Sequence, residues 1–179
     1  MKKEGYIKPI IVLAVICLVA GGLLGYVNHI TDPIITEAAE IRAHEARKDA
    51  LPEADTFTVV FDDTLPDGIP DGIDEVYKAN NGAGYVFTVT GPGYGGKITA
   101  IAGIASDGTI TGAQVLDHSE TVGLGARITG EAFLSQFIGQ DKEMADVDAI
   151  SGSTISSRSF MNLMTKAFEA FEILNGGEG

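Results

Sequence analysis

DEVYKANNGAGYVFTVTGPGYGGKITAIAGIASDGTITGAQVLDH, residues 74–118, decides the fold. Four short runs, DEVYKA, YVFTVT, KITAIAGIA and TITGAQVLDH, are separated by NNG, GPGYGG and SDG. Most of the runs are rich in β-branched and aromatic residues, which suit a pleated, half-buried surface, while Gly, Asn, Asp and Pro reverse the chain within a few positions. The pattern predicts four consecutive antiparallel strands, and TFTVVF at 56–61 adds another ahead of them. Strands this short suggest a single sheet. Toward the C-terminus, ITGEAFLSQFIG (128–139) reads as a short helix with Phe133, Phe137 and Ile138 apolar. Beyond it, Phe160, Leu163, Met164, Ala167, Phe168, Phe171 and Leu174 follow the three-and-four spacing of one buried helix face. An antiparallel sheet flanked by helices gives the class α+β.

Toward the N-terminus the chemistry changes. IIVLAVICLVAGGLLGYV (10–27) holds 18 residues without a charge, and as a helix it spans about 27 Å, close to a bilayer core of roughly 30 Å. We read residues 1–9 as a cytoplasmic tail, 10–28 as a transmembrane helix, 29–52 as a linker helix and 53–179 as an exported domain. A cleaved signal peptide fits less well, because the apolar run is long and no small-x-small site precedes a polar start. Lipidation at Cys17 is disfavoured by the bulky Ile16 before it and by the apolar run that continues past it. Lys2, Lys3 and Lys8 precede the span and acidic residues dominate after it. The positive-inside rule therefore places the N-terminus in the cytoplasm and the domain outside the inner membrane. In the linker, Asp32 is a cap, Pro33 a first helical residue and Pro52 a stop. Ile34, Ile35, Ala38, Ile41 and Ala46 form its apolar stripe. Cys17 is the only cysteine, so the exported part has no disulfide and must hold together by packing.

The formal net charge is −13, and without the basic tail the remainder carries about −15, with nine basic against 24 acidic residues. Such a surface repels nucleic acid, and a phosphate-bearing ligand needs local donors. The acidic stretch DDTLPDGIPDGIDE (62–75) is a solvated turn rather than an EF-hand loop, since with Asp67 as the first loop position Ile69 is the third, where a calcium loop needs an oxygen. His29, His44 and His118 have no metal-ligand spacing. No GxSxG elbow is present to make a serine hydrolase.

Two stretches exceed what structure alone requires. DAISGSTISSRSF (148–160) places five serines and Thr154 at the mouth of the last helix. One hydroxyl, Ser156 or Ser157, suffices as a cap. The alternative is a phosphate site, with unpaired N–H groups at the helix start, Gly152 for close approach and Arg158 as a countercharge. It is not a P-loop, because the GK[ST] ending is missing. LDHSETVGLGARI (116–128) has glycines on both sides of Leu124. It is either an ordinary connection or a loop whose backbone approaches something flat.

Taken in order, HSETVGLG and DAISGSTISS resemble the paired motifs of the FMN-binding domain family. That domain occurs in the G subunit of Rnf-type ion-translocating electron transport complexes and in the C subunit of the sodium-translocating NADH:quinone reductase. The family motifs run roughly HxETPGLG and DxxSGATxS, and the threonine of the second carries FMN through a phosphoester. The resemblance implies covalent FMN on Thr154, with Asp148, Ser151, Gly152 and Ser153 in the rest of that motif. It also implies that Glu120, Thr121, Gly123, Leu124 and Gly125 form the loop beside the flavin. Val122 stands where the family has proline, and Ser153 where it has alanine. GYGGKI (93–98) resembles a family stretch that precedes a core strand. The implied protein is an electron-carrying subunit, matured by a flavin transferase, anchored in the lipid bilayer and partnered by other subunits. The alternatives are the quinone-reductase subunit and a tethered FMN or phosphate-binding module without redox coupling.

Overall fold

A computed structural model describes residues 7–62 and 68–176. Lys2, Lys3 and residues 63–67 of the acidic turn lie outside them. The chain divides into two units, Met1–Arg42 and Ala43–Gly179.

In the first unit the chain is helical from Ile7, the start of helix α1 (Ile7–Ala50). The stretch Lys8–Asp32 is long and apolar enough to cross a membrane, and Ile10, Leu13, Leu18, Leu23 and Leu24 are all exposed on it. An apolar surface on every side suits a hydrocarbon solvent rather than a protein core. The linker expected to start a new helix at Pro33 is no separate element, because α1 continues through Asp32 and Pro33. A proline inside a helix removes one hydrogen bond without ending it when neighbouring turns keep theirs. The Thr31 hydroxyl bonds the Val27 carbonyl at 2.8 Å in the turn just before it.

The second unit is built on five strands, β1 (Phe57–Asp62), β2 (Ile73–Ala79), β3 (Gly84–Pro92), β4 (Lys97–Ala105) and β5 (Ile110–His118). They form one sheet in the order β1-β2-β3-β4-β5, antiparallel throughout, as the turn chemistry predicted. The β4–β5 turn shows the cause: Asp107 Oδ1 accepts both the N–H and the hydroxyl of Thr109, at 3.0 and 2.7 Å. Those bonds hold the Asp107 carboxyl below its usual pKa, the Thr109 hydroxyl contributing most.

Both faces of the sheet are covered, which is why Tyr85–Val89 of β3 are buried without alternation. On one face lies α3 (Thr154–Gly176), whose Phe160, Leu163, Met164, Ala167, Phe168 and Phe171 pack with Phe87, Val89, Ala100, Ala102 and Ile104. On the other face, Ala46, Ala50, Leu51 and Ala54 pack with Ala79, Val86 and Ile101. Ala50 lies so close to the sheet that a Cβ on Gly103 or Gly112 would strike its backbone. The Thr111 hydroxyl fastens the Ala50 carbonyl at 2.6 Å. Beside this contact, the Arg47 guanidinium lies 4.1 Å from the Tyr77 ring centroid and 3.6 Å from Glu75. Burial raises the Tyr77 phenol above its usual pKa, with Arg47 opposing the rise.

The single helix expected over 128–139 is instead a 3-10 turn (Gly125–Thr129), one α-helical turn α2 (Glu131–Leu134) and a second 3-10 turn (Ser135–Phe137). Gly130, extended at φ −73° and ψ 138°, breaks the segment, and pieces this short take their shape from tertiary packing. Ile128, Phe133 and Phe137 enter the core, where Phe133 and Phe137 meet Phe160 edge-on at 5.7 and 5.1 Å. Ile138, expected with them, is half-exposed.

Candidate functional site

Three segments meet at one end of the sheet: the GPGYGG turn between β3 and β4, the loop that leaves β5, and the start of α3. Glu120 joins them. The residue is 6% exposed; its carboxylate Oε1 accepts the N–H groups of Tyr94 and Gly95 at 2.7 and 3.2 Å, and Oε2 accepts the Ser156 hydroxyl at 2.8 Å. Its own N–H donates to His118 Nδ1 at 3.2 Å. The carboxylate fills the space that a side chain on Gly93 or Gly125 would need, so glycine at both positions answers to one buried acid.

The hydroxyl cluster sorts itself by the point at which α3 begins. Thr154 is the first helical residue, so Ser153 precedes the helix, and its carbonyl accepts the Ser157 N–H at 2.9 Å. The Ser153 hydroxyl donates to the Leu124 carbonyl at 2.6 Å and is buried. Neither Ser156 nor Ser157 is the cap expected from sequence: both lie inside the first turn, 2% and 0% exposed. Ser156 bonds Glu120, while the Ser157 hydroxyl donates to the Ser153 carbonyl and accepts the Ile150 N–H, both at 3.0 Å. Three serine hydroxyls are thus engaged within the protein. Thr154 is exposed, and no hydrogen bond engages its hydroxyl among the described residues.

A cleft of about 410 Å³ opens at this point, lined by Tyr94, Thr121, Leu124, Gly125 and residues 152–156. That volume lies in the range of small-molecule and cofactor sites. Its walls are mixed: Tyr94, Leu124 and Ile155 offer apolar surface, and the amides of Thr154, Ile155 and Ser156 precede the first helical hydrogen bond. Such amides, with the positive end of a 23-residue helix, favour an anionic group.

Of the residues singled out from sequence, Thr121, Leu124, Gly125, Gly152, Ser153 and Thr154 share this cleft. Gly123 lies in the same loop at φ +79° without lining it. Glu120 lies beneath, turned toward the loops. Ser151 stands outside, its carbonyl accepting Arg127 Nη1 at 2.9 Å, a bond that ties the two motifs together. Asp148 is on the surface, its N–H bonded to Gln136 Oε1 at 2.8 Å, and Arg158 is likewise outside the cleft. Tyr94, Ile155 and Arg127 were not singled out by sequence. The glycines around Tyr94 were the available signal, since they mark a turn pressed against a neighbour.

Residues 93–169, which contain every residue lining the cleft, match the FMN-binding domain family. The G subunit of the ion-translocating oxidoreductase complex of Methanosarcina acetivorans is 38% identical, over 90% of this chain and 92% of the relative. The chain belongs to this G-subunit family. Another member, the G subunit of the Na(+)-translocating ferredoxin:NAD(+) oxidoreductase complex of Acetobacterium woodii, is 31% identical over 92% of this chain and 91% of its own. Its counterpart in the proton-translocating ferredoxin:NAD(+) oxidoreductase complex of Clostridium ljungdahlii is 26% identical over 93% and 91%. Among solved structures, NqrC of Shewanella oneidensis superposes with a TM-score of 0.50 over 74% of each chain at 22% identity, a likeness of fold.

Proposed function

We propose that this chain is the membrane-anchored flavoprotein subunit of an ion-translocating oxidoreductase complex, carrying FMN through a phosphoester on Thr154. The observation that carries the assignment is the division of hydroxyls at the start of α3. Ser153, Ser156 and Ser157 are buried and engaged, while Thr154 faces the cleft with its oxygen available. Ser151 is exposed as well but stands outside the cleft, so Thr154 is the open hydroxyl that a flavin transferase meets there.

The cleft residues fit the group. Thr154 fixes the phosphate at the positive end of α3, where the Ile155 and Ser156 amides offset its charge in an otherwise acidic protein. Leu124, Ile155 and Tyr94 give the ring system apolar walls, with Thr121 adding a polar edge. Bound there, the flavin supplies the redox chemistry, and the chain sets its position, polarity and access. A covalent bond also keeps the group on a domain outside the cytoplasm, where lost FMN is not easily replaced. The apolar stretch Lys8–Asp32 anchors the chain in the inner membrane beside its partner subunits, with the domain on the outer side. The ferredoxin and NAD(+) named for relatives make an Rnf-type complex the working assignment.

The test is in-gel flavin fluorescence after full denaturation, using the full chain made together with a flavin transferase. Wild type should fluoresce. Thr154→Val keeps volume and β-branching but deletes the bonding oxygen, so it should fold and remain dark. A fluorescent Thr154→Val protein, or a dark wild type, would overturn the covalent assignment.

A further inference from the structure

Glu120 is a buried acid that the proposed attachment chemistry does not use. Its carboxylate makes three hydrogen bonds, two to the backbone of the GPGYGG turn and one to Ser156 in the first turn of α3. Nothing in the 94–96 turn holds Tyr94 by side-chain packing alone, since Tyr94 is 71% exposed. Its position over the cleft is therefore fixed through its backbone, and the bond at 2.7 Å to Glu120 is the shortest link to the other wall. The turn is also pressed against the β5 exit: a side chain on Gly95 or Gly96 would strike Ser119.

We infer that Glu120 is a positioning residue rather than a flavin contact: by clamping Tyr94 to the start of α3, it sets the aromatic wall of the cleft and thereby the environment of the ring. This rests on the flavin reading above, and it assigns a role the resemblance left open. A carboxylate suits the task because its two oxygens accept from backbone and hydroxyl donors at once. In Glu120→Gln one end becomes an NH₂ group, which cannot accept a hydrogen bond. The side chain then keeps the backbone bonds only by reversing the Ser156 hydroxyl, or loses them.

The inference is tested on the full chain in detergent by two measurements. The first needs no flavin. In protein made without a transferase, amide exchange at Tyr94 and Gly95 should quicken in Glu120→Ala, which removes both acceptor oxygens, by about tenfold, the amount expected for a lost charged hydrogen bond. Unchanged exchange overturns the clamp. The second uses protein matured with a transferase. Glu120→Gln should keep covalent flavin yet shift its absorbance and reduction potential, and Tyr94→Leu should produce a shift of the same sign. In the double variant the Glu120 effect should vanish, because the wall it positions is gone. Full additivity would mean that Glu120 acts on the ring directly and would overturn the inference. If either Glu120 variant fails to fold, the exposed Tyr94→Leu still decides: an unchanged flavin spectrum removes the aromatic wall and the inference with it. A wild type without flavin would sink the functional reading alone, leaving the exchange measurement to judge the clamp.

Discussion

The Ser153 hydroxyl donates to the Leu124 carbonyl at 2.6 Å, joining the start of α3 to a loop 29 positions earlier in the chain. This bond closes one side of the cleft. Ser153→Ala removes it and leaves the Leu124 carbonyl with one partner fewer, so the domain should lose about 0.5–1.5 kcal/mol in denaturant unfolding. Flavin attachment should survive, since the Thr154 oxygen is untouched. Loss of denatured-gel fluorescence in Ser153→Ala, with fluorescence kept in Thr154→Val, would move the attachment by one residue.

Leu124 is 54% exposed and lines the cleft, so its replacement tests the ring wall without threatening the fold. Leu124→Asp should leave unfolding nearly unchanged and the covalent bond formed. The added charge beside the ring should lower the flavin reduction potential and alter its absorbance. A spectrum identical to wild type would mean that this loop is only a connection.

Gly125 lies against the Glu120 carboxylate and Ser156, where a Cβ would come within 2.8 Å of the Ser156 oxygen and closer still to Glu120. Gly125→Ala should therefore destabilise the domain by about 1–3 kcal/mol, the usual cost of overpacking. Gly123→Ala, with open space around it but φ +79°, meets only backbone strain and should cost less. Chemical denaturation of the two variants side by side checks the order.

Phe160 is fully buried between Phe133 and Phe137. Phe160→Ala should cost about 3–5 kcal/mol. The two short 3-10 turns that follow the 121–124 loop should loosen first, which hydrogen exchange over residues 125–137 would show.

A reporter fused after Gly179 should be active only outside the cytoplasm, because the lysines flank the apolar span on its N-terminal side. Cytoplasmic activity of that fusion would reverse the orientation.

The sheet was readable because its turns are written in local chemistry: the Asp107–Thr109 bonds need no distant partner. The last helix was readable because its apolar face repeats over several turns. Residues 128–139 were not, since Phe133 and Phe137 keep a helical spacing although Gly130 separates them from Ile128 and the helix tightens to a 3-10 turn at Ser135. The same limit applies to the site. Ser153, Ser156 and Ser157 are chemically identical in sequence, and their roles depend on which residue opens α3. That choice is tied to the Leu124 carbonyl, far away in the chain. Tyr94 lies 26 positions from the carboxylate that holds its amide, and no period connects them.

The sealing of three serines around one open threonine has a consequence for the order of events in biogenesis. In the nascent chain, residues 151–159 offer six hydroxyls of nearly equal reactivity. Ser157 is withdrawn by bonds within its own segment, and Ser153 and Ser156 only after the loop carrying Glu120 and Leu124 has docked on α3. A modifying enzyme that acts on the folded domain thus finds the choice narrowed to Ser151, Thr154 and Ser159, of which Thr154 alone lines the cleft, and much of the chemoselectivity becomes a property of the substrate's tertiary structure.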